Sequence, residues 1–284
     1  MRDLKHIYYF EKLLENSYND LIGEAQEQGR KAIGHVCYQI PEPLLNLPGI
    51  FSVRLRAPRT TSTEMGNYYL TPIFCEACRA ILERALEGGF DFLDGIIAPE
   101  ACAMMNRCVE NIEHLNCCMK PHFFASYVDV PMKSDETTLR HYVLQMKEHV
   151  LKPLSEHLGI DTSDAAIRKA VAEQNEVSAV LTEIGDYRKD EQPRITGYEF
   201  AVLCLASYCC PKDLILPQTQ GNRRRAQDQG SRAQRRLPLP RGDGRKRNRR
   251  SSTHQTGRGM RPDRRRGPLL LWLLAGQAGH RTER

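Results

Sequence analysis

Three thiols stand where the chain could do chemistry. Cys75 and Cys78 form a C-x-x-C, and Cys102 closes the run FLDGIIAPEAC, in which an apolar stretch meets a Pro99 turn and then a cysteine. Cys75 and Cys102 both fall where an extended run gives way to an amphipathic one. At such a junction the positive end of a helix favours the thiolate, the metal-ligating form. The C-x-x-C alone fits a zinc half-site, a redox pair or two ordinary thiols. A zinc ribbon needs a second C-x-x-C, and Cys117-Cys118 and Cys209-Cys210 are adjacent pairs with the wrong spacing. A thioredoxin-type site would add a cis-proline loop, and no such loop can be identified. Cys108, Cys117, Cys118, Cys204, Cys209 and Cys210 read as small hydrophobes of the core.

The elements that must position these thiols alternate between strand and helix. Residues 1–29 read as an amphipathic N-terminal helical segment, with Leu4, Ile7, Tyr8, Leu13, Leu14, Leu21 and Ile22 among charges. Residues 30–133 read as a first α/β domain. Within it, Ala32–Val36 is a strand ending near Cys37, Pro43–Leu47 a short helix and Ile50–Leu55 a second strand, a tight β-α-β unit that points to a parallel sheet. A polar loop over Ala57–Gly66 leads to a helix from Cys75 to Leu86, a strand Phe92–Ile97, a helix Met104–Leu115 and a strand within Lys120–Val130. This order is that of a wound α/β fold, with both thiols carried to the same sheet edge; ligands in such folds sit beyond the carboxyl ends of the strands. Residues 134–218 are rich in helix formers and read as a helical linker or lid, including Asp164–Glu183 and Arg194–Tyr208.

The net charge of +6 averages two unlike pieces. From Thr219 onward 18 Arg and one Lys face four acidic residues, a net of +15, and Val, Ile, Phe, Tyr and Cys are absent. The preceding 218 residues are acidic. A segment of such composition cannot bury enough apolar surface to offset its ordering entropy. Residues 219–284 are therefore expected to be a disordered basic tail standing where a second α/β domain would be, and the abrupt change at Gln218 favours an out-of-frame translation. A solvated tail without a role, or a basic arm binding nucleic acid by counterion release, are the weaker readings. Ten cysteines without a secretory signal fit a reducing, cytoplasmic setting. The late apolar run Pro268–Gly276 is less than half of the roughly 20 residues a membrane span needs, so no membrane partner is expected.

Taken in order, several short motifs resemble the 2-hydroxyacyl-CoA dehydratase and benzoyl-CoA reductase subunit family (the 2-hydroxyglutaryl-CoA dehydratase D-component family). They are Gly34-x-x-Cys37-Tyr38-x-x-Pro41, Gly49 with Val53-Arg54-Leu55, Tyr69-Leu70 followed by Cys75-x-x-x-Arg79, and Phe90-Asp91-Phe92-Leu93-Asp94-Gly95 leading to Cys102. Val128-Asp129-Val130-Pro131, Asn175 and Ile195-Thr196-Gly197 continue the series, and the similarity spans about residues 28–218. The chain departs from the family pattern at Pro43, where Glu is usual, and at Ala103, where Asp is usual.

The resemblance implies two α/β domains facing across a cleft, with a four-iron four-sulfur cluster held by three cysteines. Cys75 and Cys102 match the first two ligands; the third belongs to the second domain, where this chain has its Arg-rich tail. Cys37 and Glu42 are the substrate-side candidates. The implied activity is that of a lyase, loss of water from an (R)-2-hydroxyacyl-CoA through a ketyl radical made by one-electron reduction. The implied partners are a homologous second dehydratase subunit, an ATP-dependent iron-sulfur activator and the acyl-CoA substrate. A truncated or frame-shifted chain of this kind is expected to be inactive alone. A benzoyl-CoA reductase-type subunit and a non-catalytic iron-sulfur or thiol electron carrier are the alternatives.

Overall fold

The structure, a computed structural model, describes residues 5–190 and 193–228. It begins with two helices, α1 (Lys5–Leu14) and α2 (Asp20–Glu27), where the sequence suggested one. The break has a local cause. The Asn19 side chain accepts hydrogen bonds from the amides of Leu21 and Ile22 and so starts a new helix.

Then come β1 (Lys31–His35), a 3-10 turn over Glu42–Leu45, and β2 (Ile50–Arg54). Next are α3 (Glu64–Tyr69), α4 (Glu76–Leu86), β3 (Gly95–Pro99), α5 (Ala103–His114) and β4 (Phe124–Val128). All three strand pairings are parallel, in the order β2-β1-β3-β4. The chain thus builds outward from β1 to one side, then crosses back and continues on the other. The reversal falls between the carboxyl ends of β1 and β3. The α/β fold expected from the sequence is the fold observed.

Alternation along the strands splits the core into two layers. Ala32, Phe51, Val53, Ile96 and Ala98 face a layer with Cys78, Leu82, Val109 and Ile112 of α4 and α5. Ile33, Ile50, Ile97 and Val128 face the opposite layer. That second layer is filled by the 3-10 turn and by α6 (Glu136–Met146), a π-type turn over Lys147–Leu151, α7 (Lys152–Leu158) and α8 (Asp164–Asp186). Gly95 leaves the space that the Phe124 ring occupies, since a Cβ there would lie 2.5 Å from it.

A third apolar cluster joins α1 and α8 to α9 (Gly197–Cys209) and α10 (Lys212–Asp228). Thr196 and Glu199 form a reciprocal cap at the start of α9. Here the structure corrects the boundary at Gln218, because α10 passes straight through it. Thr219 is buried and donates to the Ile215 carbonyl, Gln220 reaches Glu176, and Arg223 and Gln227 both reach Glu183 on α8. Residues 219–228 are therefore ordered helix, not tail; the rest of the expected tail, and the question of a second domain, lie outside the described residues. Among the described residues no helix is long and apolar enough to cross a membrane.

Candidate thiol site at the carboxyl edge of the sheet

Cys75 and Cys102 are each the N-cap residue of the helix that follows, α4 and α5, with extended backbone, but only Cys102 comes off a strand, β3; Cys75 is reached from α3 through a turn, not from the extended run that the sequence suggested. Both are exposed. The approach to Cys75 is fixed by Arg79, whose guanidinium donates to the Phe74 carbonyl at 3.2 Å and to Asn67 Oδ1 of α3 at 2.6 Å. α3 in turn is locked to α4 through Gly66. Its amide donates to Glu83 Oε2, and a Cβ on it would lie 2.4 Å from the Arg79 carbonyl oxygen. Cys102 is fixed from the sheet side, where the Glu100 amide continues the strand pairing to the Val128 carbonyl.

Cys37 follows β1, beside the reversal point, with a left-handed backbone (φ 60°) that a non-glycine residue adopts at a cost of about 1 kcal/mol or more. It is half-buried. Burial pushes its thiol up, Arg54 opposes this, and Cys102 and Cys75 push it further in the same direction. Cys75 and Cys102, from two separate stretches of chain, thus both act electrostatically on the Cys37 thiol. Each also has an exposed large apolar side chain close by in sequence: Tyr38 after the first, Ile73 before the second and Met104 after the third.

Cys78 was left open by the sequence, and the structure places its Sγ 3.1 Å from Cys75 Sγ. It is fully buried, and burial, together with its contact to Cys75, pushes its thiol up. Among the other cysteines, Cys108, Cys117, Cys118, Cys209 and Cys210 are buried and Cys204 is half-buried. Several take internal partners: Cys108 donates to the Cys78 carbonyl, Cys118 to the Phe90 carbonyl, and Cys209 accepts from Arg56.

Glu42 does not join the thiols. It opens the 3-10 turn and points inward, where its carboxylate lies 2.5 Å from Lys212 Nζ and accepts from Ser52 Oγ at 3.0 Å. Asn46 closes the network, donating to Ser52 Oγ and to the Glu42 carbonyl. Burial alone would raise the Glu42 carboxyl, but Lys212, His35 and the two hydrogen bonds outweigh it and hold the group below the usual carboxylate range. His35, at the end of β1, faces the same network; its Nε2 is buried without a hydrogen-bond partner. Burial, with Lys212 and Arg54, lowers its pKa to about 4 against the opposing pull of Glu42. Sequence reasoning missed His35 and Lys212. His35 had a signal, as a polar residue at the end of a buried strand. Lys212 had none.

Residues 37–245 match the family described as 2-hydroxyglutaryl-CoA dehydratase, D-component. The chain belongs to that family. The match runs past Gln218, where the similarity read from the motifs stopped. Among curated relatives, the beta subunit of (R)-2-hydroxyglutaryl-CoA dehydratase from Acidaminococcus fermentans is 23% identical over 193 residues, covering 68% of this chain and 50% of that protein. A benzoyl-CoA reductase subunit of Thauera aromatica is 23% identical over 217 residues, covering 73% and 53%. The (R)-phenyllactyl-CoA dehydratase beta subunit of Clostridium sporogenes is 24% identical over 183 residues, covering 61% and 45%. The chain therefore spans about half the length of the relatives it matches.

Thiols are the right donors for an iron-sulfur cluster, and Cys75 and Cys102 are the two exposed ones at helix N-termini. The set from this chain is partial. Among the described residues no three His, Cys, Asp or Glu side chains are grouped so as to hold a metal ion.

Proposed function

We propose that this chain is a subunit of a 2-hydroxyacyl-CoA dehydratase-like enzyme, a lyase, in which Cys75 and Cys102 supply two thiolate ligands to a four-iron four-sulfur cluster. The observation that carries the reading is the pair of exposed thiols that each cap a helix N-terminus, in a chain of this family. A third ligand would come from outside the described residues. The exposed apolar side chains of Tyr38, Tyr68, Ile73 and Met104 support a second protein surface closing over this edge, as a homologous partner subunit would.

A bound cluster would supply single electrons of low potential, delivered by an ATP-dependent activator, to an acyl-CoA thioester whose β-proton is too weakly acidic for a two-electron elimination. The chain's own residues orient and shield. The α4 and α5 N-termini carry the two ligand residues as caps. Cys37, on which both thiols act electrostatically, would face substrate. Glu42, engaged by Lys212 and Ser52, acts from behind, fixing the turn that follows Cys37.

Anaerobic reconstitution with iron and sulfide tests this. Iron bound to the wild-type chain, with charge-transfer absorption, and lost from Cys75→Ser and Cys102→Ser is the expected result. Absence of both iron and absorption in the wild type, with its partner subunit present, removes the reading. The benzoyl-CoA reductase-type alternative is favoured by the extent of the match to the Thauera aromatica protein, 73% of this chain. Loss of water from a 2-hydroxyacyl-CoA by the assembled subunits with activator, ATP and reductant selects between the two.

A further inference from the structure

A cluster ligand must reach outward, and Cys78 does not: it lies fully buried in the first turn of α4. Its sulfur nevertheless sits 3.1 Å from that of Cys75. Two thiolates sharing one tetrahedral ion at a metal-sulfur distance of about 2.3 Å would lie about 3.7 Å apart. The pair is closer than that, with no room for an ion between the sulfurs.

The local backbone produces this approach. Cys75 is the N-cap with extended backbone (φ −60°, ψ 147°), and the Cys78 amide donates to the Cys75 carbonyl at 3.1 Å. A cap side chain and one three residues on are turned toward the same end of a helix. One of the two thiols is exposed and the other buried, so that an incoming reagent meets Cys75 first.

We propose that Cys75 and Cys78 form a reversible internal disulfide by exchange with a small-molecule disulfide such as oxidised glutathione, and that the bridge withdraws Cys75 from metal binding. The second half rests on the cluster reading above; the first does not. In the first step the Cys75 thiolate attacks one sulfur of oxidised glutathione and expels one glutathione thiolate, leaving a mixed disulfide on Cys75. Cys78 then loses its proton and attacks the Cys75 sulfur, and the second glutathione thiolate leaves. Two electrons pass from the protein thiols to the glutathione disulfide, two protein S–H bonds are lost, and two glutathione thiols result.

The full chain, freed of metal, is equilibrated anaerobically in glutathione redox buffers, alkylated and mapped by peptide mass. The wild type is expected to lose two alkylatable thiols together and to yield a Cys75–Cys78 linked peptide, whereas Cys78→Ala accumulates glutathione on Cys75. Wild-type chain that stops at the glutathione adduct, or links Cys75 to Cys102, overturns the bridge. Oxidised chain is then offered iron and sulfide, with an expected drop in uptake of at least tenfold that reductant reverses. Equal uptake by oxidised and reduced chain overturns the competition. If the reduced chain itself takes up no iron while the linked peptide forms, the cluster reading fails and the disulfide stands.

Discussion

Two groups of side chains in the fold are built on opposite terms. Glu42, Ser52, Asn46 and Lys212 are drawn inside and satisfy one another, with the Lys212 side chain only 3% exposed. Cys75 and Cys102 end at the surface, placed by Arg79, Gly66 and the strand pairing beyond Pro99, with the Cys75 sulfur also touching that of the buried Cys78. The first group stabilises the fold, tying the last described helix to the first two strands. The second is positioned by the fold and, being exposed, is expected to contribute little to it.

If that division holds, the largest effect on stability belongs to Lys212→Met. It leaves the Glu42 carboxylate buried without its cation and is expected to cost about 3–5 kcal/mol in urea unfolding. Adding Glu42→Leu should recover most of the loss. A double replacement as unstable as the single would mean that the lysine matters for packing, not for charge.

Acid gives the next effect. His35 in the folded chain titrates near 4, below its unfolded value of 6.5. As pH falls through 6.5 the unfolded chain takes up the proton first. Its stabilising effect is complete above about 6.5 and is lost progressively down to about 4, by roughly 3 kcal/mol. His35→Gln should flatten that slope, and an unchanged slope would move its origin to the carboxylates. Glu42, whose folded value is depressed, adds its own loss as pH falls from the usual carboxylate range down through its folded value.

Gly66→Ala is expected to cost about 1–3 kcal/mol by forcing α3 from α4. Because α3 also holds the Cys75 approach through Asn67, this substitution should lower iron uptake as well. It thus probes the dependence of the open group on the fold. The smallest change in stability, within about 0.5 kcal/mol, is expected for Cys75→Ser and Cys102→Ser, although both should abolish iron uptake. A large loss of stability in either would erase the distinction between the two groups.

The sequence carried the open group well and the closed one poorly. The strand cores are short runs such as Ile96-Ile97 beside a turn, and helices α4 and α5 have regular apolar spacing, so the two N-cap thiols could be placed from local pattern alone. α3 could not. Its residues, EMGNYY, put a glycine and three weaker helix formers after Glu64 and Met65, and the helix packs as it does because Gly66 admits the Arg79 carbonyl, a tertiary fact. α10 was hidden for a similar reason. It contains Pro217 and Gly221 and crosses the change in composition, yet it is held by Lys212 at one end and by α8 along its length. The pairing of Glu42 with Lys212 joins positions far apart in the chain, and no local pattern announces it. The C-x-x-C spacing did hint at the Cys75–Cys78 contact, but spacing cannot tell a shared ion from touching sulfurs.

α10 has one more consequence. Its 17 residues make a rod roughly 25 Å long, anchored at its start by a buried ammonium group. Its far end is braced separately, by Arg223 and Gln227 on Glu183 of α8. A lesion in the socket would therefore leave the strut pinned at one end and free to swing at the other.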